Sequence, residues 1–124
     1  MTYEIKSGEI ADLYKIFEDA VAKSDVDRLL SEFYTPDVAF AGTGLPLSQG
    51  SVVKDILGGL TGAAESVRVE QLQTVIVEPE KVLVDFAIVH VQGVDGTAIS
   101  DRSTCVFHNG PNGWRCVADV FIRD

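Results

Sequence analysis

The chain has 124 residues, 46% hydrophobic and 23% charged, which bounds it to one globular domain, residues 1–124, able to bury a core. Its formal net charge of -9 repels phosphate backbones and anionic lipid, so nucleic acid and membrane are excluded as partners. No apolar run approaches the roughly 20 residues that span a bilayer, and the N-terminal MTYEIKSGEI lacks the basic and apolar regions of a signal peptide, so a cytoplasmic location is expected.

Ser7 can cap a first helix in which Ile10, Leu13, Phe17, Ala20, Val21 and Ser24 recur at three- and four-residue steps as one apolar stripe. Asp25 can cap a second helix with Val26, Leu29, Leu30 and Phe33 on its buried face. Pro36 disfavours helical geometry at Thr35, so Thr35-Pro36-Asp37 ends it. Residues 38–41 read as a short strand and 42–50 as a loop. Ser51 is a candidate cap for a third helix carrying Val52, Val53, Ile56, Leu57 and Leu60, and 61–65 is a connection.

The apolar period then changes to two, which predicts strands. They cover 67–77, 82–92, 97–108 and 114–122, separated by turns at 78–81, 93–96 and 109–113. Consecutive hairpins make a meander, and strands longer than the usual five or six residues coil under their own twist. The fold class is therefore α+β: a curved antiparallel sheet shaped as a cone, with three N-terminal helices enclosing a pocket.

Several stretches in this order carry a resemblance. They are Ala22 to Leu30 leading into Phe33, Pro36-Asp37-Val38, Ser48-Gln49-Gly50, Arg102-Ser103-Thr104 and Gly113-Trp114-Arg115. Across residues 8–122 the chain resembles the nuclear transport factor 2-like (NTF2-like) superfamily, in its SnoaL-like and ketosteroid-isomerase-like branch. The resemblance implies a cone fold that hosts isomerases, cyclases, dehydratases, epoxide hydrolases and non-catalytic modules alike. Steroid isomerases of this fold use an aspartate base, with a tyrosine and a protonated aspartate as oxyanion donors. Here the tyrosine position falls on Phe17, the base position near Gly42 and the second aspartate position near Ser103, so that constellation is missing and steroid isomerisation is not expected. The histidines that end the last strand in many relatives are replaced by Ala118, Val120 and Ile122.

Two charged residues within strands are the candidate catalytic pair. Asp85 can be a general acid or base if it faces the cavity, or an outward carboxylate paired across the sheet. Arg102 can stabilise a developing negative charge inside the cone, or pair with Asp119. Phe17, Tyr34, Phe40, Ala118 and Val120 are candidate ligand-binding residues, with core packing the alternative for the aromatic ones. His90 and His108 read as structural or solvated imidazoles. There is no CxxC, no HExxH and no clustered His/Cys set, so no metal and no cofactor is expected.

The last hairpin decides what enters the pocket. If His108 pairs with Trp114, Arg102 points inward and Cys105 points away from Cys116, leaving both thiols free. If Phe107 pairs with Trp114, Asp101 and Ser103 enter instead, and the first register is the expected one. With the even residues of the last strand inward, Val117 and Phe121 face out and predict a homodimer through the outer sheet face. The function expected is a small-molecule binder or enzyme for a hydrophobic metabolite, isomerase-, cyclase- or dehydratase-like. The alternative is a non-catalytic dimerisation or association module.

Overall fold

The computed structural model describes residues 8–123, so the cap expected at Ser7 lies outside the described residues. Helix α1, Gly8–Ala22, buries Ile10, Leu13, Tyr14, Ala20 and Val21. At the start of α2, Val26–Arg28, the Asp25 side chain accepts from the Arg28 amide at 3.0 Å, the cap expected there. The chain continues as a π-helical turn, Leu29–Phe33, and becomes extended at Tyr34. The helix thus ends ahead of Thr35-Pro36. Pro36 lies in strand β1, Tyr34–Gly42, within the irregular stretch between Tyr34 and Ala39 where no ladder amide is required of it.

The expected loop at 42–50 contains a further strand, β2, Leu45–Ser48, paired with β1 through a two-residue turn at Thr43-Gly44. Helix α3, Ser51–Ala63, starts after Gly50, which adopts φ 73°, and Ser51 makes no side-chain cap. The meander follows as β3, Ala64–Glu78, β4, Val82–Gly93, β5, Ala98–Gly110, and β6, Gly113–Arg123. The strand order is β2-β1-β6-β5-β4-β3. Because β1 runs parallel to β6, the curved sheet is mixed rather than wholly antiparallel. The helices cover its concave face, giving the α+β cone. Phe33 sits at the centre of the core, its ring centroid 4.7 to 6.0 Å from Tyr14, Phe17, Tyr34 and Phe107. Among the described residues no helix is long and apolar enough to cross a membrane.

The last hairpin adopts neither expected register. Gly110 opposes Gly113 across a two-residue turn, and Asn109 opposes Trp114. Phe107 opposes Cys116 but Val106 opposes Ala118, so Val117 is a bulged extra residue. An extra residue reverses the alternation beyond it. Trp114 and Cys116 face the interior, then Asp119, Phe121 and Arg123 do, while Ala118, Val120 and Ile122 face out. The expectation that the even face lines the interior throughout is therefore corrected. So is the expectation that Phe121 is exposed: it is 9% accessible and packs on Phe40. On β5 the odd residues Asp101, Ser103, Cys105 and Phe107 are buried and Arg102 is exposed on the outer face.

Candidate functional site

The registers place four buried residues in one row across the inner face. Thr74 opposes Asp85, Asp85 opposes Cys105, and Cys105 opposes Asp119. A second bulge, at Leu72 on β3, turns Thr74 inward. Each carboxyl in the row receives a tyrosine hydroxyl. Tyr14 donates to Asp85 and Tyr34 donates to Asp119, both at 2.7 Å. Burial pushes both phenols far up, so they remain protonated donors.

The two ends of the row differ. Asp85 is fully buried and also accepts from Thr74 at 2.6 Å and Gln71 at 2.9 Å. Its oxygens are occupied by protein donors and it does not line the cavity. Asp119 accepts from Ser103 at 3.2 Å as well as from Tyr34, and it does line the cavity. Burial pushes its carboxyl above the usual range, against the lowering effect of hydrogen bonds with Tyr34, Ser103 and Cys105.

The cavity has a volume of about 100 Å³. Phe17 and Val21 from α1, Leu57 from α3 and Val67, Val89 and Val91 from the sheet give it apolar walls, with Tyr34, Phe40 and Phe121 closing one side. Its polar atoms converge from Thr61, Ser103 and Asp119, and from an ion pair at the solvent-facing end. There Arg123 grips Asp101 in a bidentate fork, Nε to Oδ1 at 2.8 Å and Nη2 to Oδ2 at 2.9 Å. That pairing raises the Arg123 guanidinium and cancels its charge locally.

Of the residues expected from sequence, Phe17, Tyr34 and Phe40 line this cavity. Arg102 does not: it opposes Ile88 and Ile122 on the outer face, because the hairpin register puts the odd residues of β5 inside. Ala118 and Val120 also lie on the outer face, displaced by the Val117 bulge, and Val120 is 48% exposed. Asp85 faces inward but away from the cavity. Sequence reading missed Asp119 as a site residue and placed Asp101 and Ser103 only in the register it did not favour. The signal for them was in β5, where apolar Cys105 and Phe107 share odd numbering with both.

Cys105 and Cys116 are both buried, on the inner side rather than on opposite faces as expected. The neighbouring Cys116 thiol and burial push Cys105 up, and burial pushes Cys116 up. With Asp119 they form a set of metal-ligand type, the donor atoms within 4.8 Å of one another. These atoms already have protein partners: Tyr34 and Ser103 donate to Asp119, and the Cys116 thiol donates to the Ala118 carbonyl at 3.2 Å. The set reads as a packed polar cluster.

No protein-family model and no curated protein matches the chain. Solved structures do. A candidate calcium/calmodulin-dependent protein kinase II association domain from Xanthomonas campestris is 12% identical at a TM-score of 0.77, over 97% of this chain and 89% of that one. A candidate dehydratase of the NTF2-like family from Streptomyces avermitilis is 16% identical at 0.74, over 93% of each chain. A candidate aromatic ring hydroxylase from Novosphingobium aromaticivorans is 20% identical at 0.70, over 92% and 85%. Likeness at these identities speaks to architecture rather than chemistry, and by that architecture the chain has the NTF2-like fold.

Proposed function

We propose that this domain binds a small, mainly apolar molecule against Asp119 and can move a proton to or from it. The observation that carries this reading is a buried carboxyl, raised by burial, at the wall of an apolar cavity and steered by Tyr34 and Ser103. A neutral Asp119 can donate to a carbonyl or enolic oxygen, and an ionised one can accept a proton from carbon. That is the chemistry of an isomerisation, cyclisation or dehydration, and it agrees with the dehydratase assignment of one neighbour. Asp119 takes the role first expected of Asp85, and Tyr34 and Ser103 hold its geometry.

Size narrows the ligand. An apolar cavity of about 150 Å³ accepts benzene, and this one is about 100 Å³. Its occupant is thus a few heavy atoms to one small ring, and a steroid skeleton exceeds it. The test is an NMR titration with cyclobutanone, a five-heavy-atom ring ketone. Amide shifts are expected around Phe17, Tyr34 and Leu57, weakened severalfold in Asp119→Asn and unchanged in Arg102→Ala. Shifts confined to the outer face, or an equal response in Asp119→Asn, contradict the reading.

A second observation favours an association role beside it. The outer face of the sheet carries Val75 on β3, Phe86 on β4 and Val120 and Ile122 on β6, each 38–50% exposed. Exposed apolar residues gathered on one sheet face mark an interface. We place a two-fold homodimer on it, and the association-domain neighbour agrees with that reading. The residues differ from Val117 and Phe121, but the surface is the one expected from sequence.

A further inference from the structure

A second polar constellation lies on the opposite side of the sheet from the cavity. Arg68, His90 and Ser100 oppose one another across β3, β4 and β5, and Glu70 is one outward step along β3. His90 Nδ1 lies 2.9 Å from Ser100 Oγ, and His90 Nε2 lies 2.9 Å from Glu70 Oε1. Arg68, His90 and Ser100 border a surface hollow of about 270 Å³, with Ser66, Gln92 and Ala98 also in its lining. Ser100 is exposed and His90 half-buried. Ser100 is one residue before Asp101, which pairs with Arg123, so the site lies at the end of the apolar patch assigned to the dimer.

We propose that Ser100, His90 and Glu70 form a nucleophile, base and orienting carboxylate that cleave small activated esters at this hollow. A hydroxyl within hydrogen-bond reach of an imidazole, itself held by a third group, is the arrangement that activates serine. Glu70 accepting from Nε2–H leaves the Nδ1 lone pair directed at Ser100. Glu70 then stabilises the imidazolium that forms during attack. Ser100 Oγ bonds to the acyl carbon and its proton passes to Nδ1. Collapse of the tetrahedral adduct breaks the ester C–O bond, and His90 returns the proton to the leaving alcohol. Water, deprotonated by His90, attacks the acyl-serine, and the proton goes back to Ser100 Oγ as the carboxylic acid departs. Arg68, on the same outward row, supplies positive charge for the tetrahedral oxygen. With Arg68 alone supplying charge to the tetrahedral oxygen, the activity is confined to esters with good leaving groups.

The probe is 4-nitrophenyl acetate with the full chain. Hydrolysis above the buffer rate is expected, with an acetyl group on the Ser100 peptide after acid quench. Ser100→Ala and His90→Gln are each expected to lose at least tenfold in kcat. Glu70→Gln, a positioning change, is expected to lower kcat with KM unchanged. A fluorophosphonate offered to the unmutated protein should label Ser100 with loss of fluoride, which needs no variant to fold. Acetyl groups found on lysines alone, or label absent from Ser100, or a Ser100→Ala rate equal to the parent's, overturns the proposal.

Discussion

Asp85 and Asp119 are two buried aspartates with opposite surroundings. Three side-chain donors enclose Asp85, so it serves as a hydrogen-bond hub that ties Tyr14 on α1 to β3 and β4. Asp119, held by Tyr34, Ser103 and Cys105, has a cavity beside it. Burial raises its folded value above the unfolded one, which is about 3.9, so the native state holds the proton more tightly. The stability this contributes is present below the unfolded value and is lost as pH rises through the folded value. Asp119→Asn keeps the shape and cannot ionise. Its denaturant stability is therefore expected to vary less between about pH 4 and 8 than the parent's. A variant curve parallel to the parent's would show that Asp119 does not titrate in that window.

The strands explain which parts of this were readable. Alternating side chains and the turns near Pro79, Gly96 and Gly113 mark β3 to β6 in the sequence, and the meander follows. The bulges leave no such mark. Val117 and Ala118 are both apolar, so composition gives no sign that the alternation reverses between them, and one extra residue moves Asp119 in and Val120 out. Strand β2 was hidden because Leu45-Pro46-Leu47-Ser48, between glycine-bearing turns, pairs only with β1 at the sheet edge. Arg102 carried the family spacing but sat on the wrong side of an unread turn. Gly42 gains its reason only from packing: a Cβ there would overlap the Phe121 ring, its parallel neighbour on β6. Gly42→Ala is expected to destabilise by about 1–3 kcal/mol, the cost of overpacking a filled site. Denaturant titration checks this, and an unchanged midpoint would mean that Phe121 can move aside freely.

At the scale of the molecule, one curved sheet presents two contrasting faces. Its inner face holds the carboxyl row and the cavity, and its outer face carries the apolar patch and the Ser100–His90–Glu70 chain. The dimer assignment is tested at Val120, since Phe121 is a core residue. Val120→Asp is expected to convert a dimer to a monomer by light scattering at micromolar concentration, with the fold intact by circular dichroism. A parent protein with the mass of one chain, or a dimer that persists in the variant, contradicts the interface. The inner face carries the central claim, and NMR of the Asp119 side-chain carboxyl against pH tests it most directly. The midpoint is expected above the ordinary aspartate value of about 3.9 and to move further when cyclobutanone is added. A midpoint at or below that value, unmoved by the probe, would mean that Asp119 is only a buried structural acceptor.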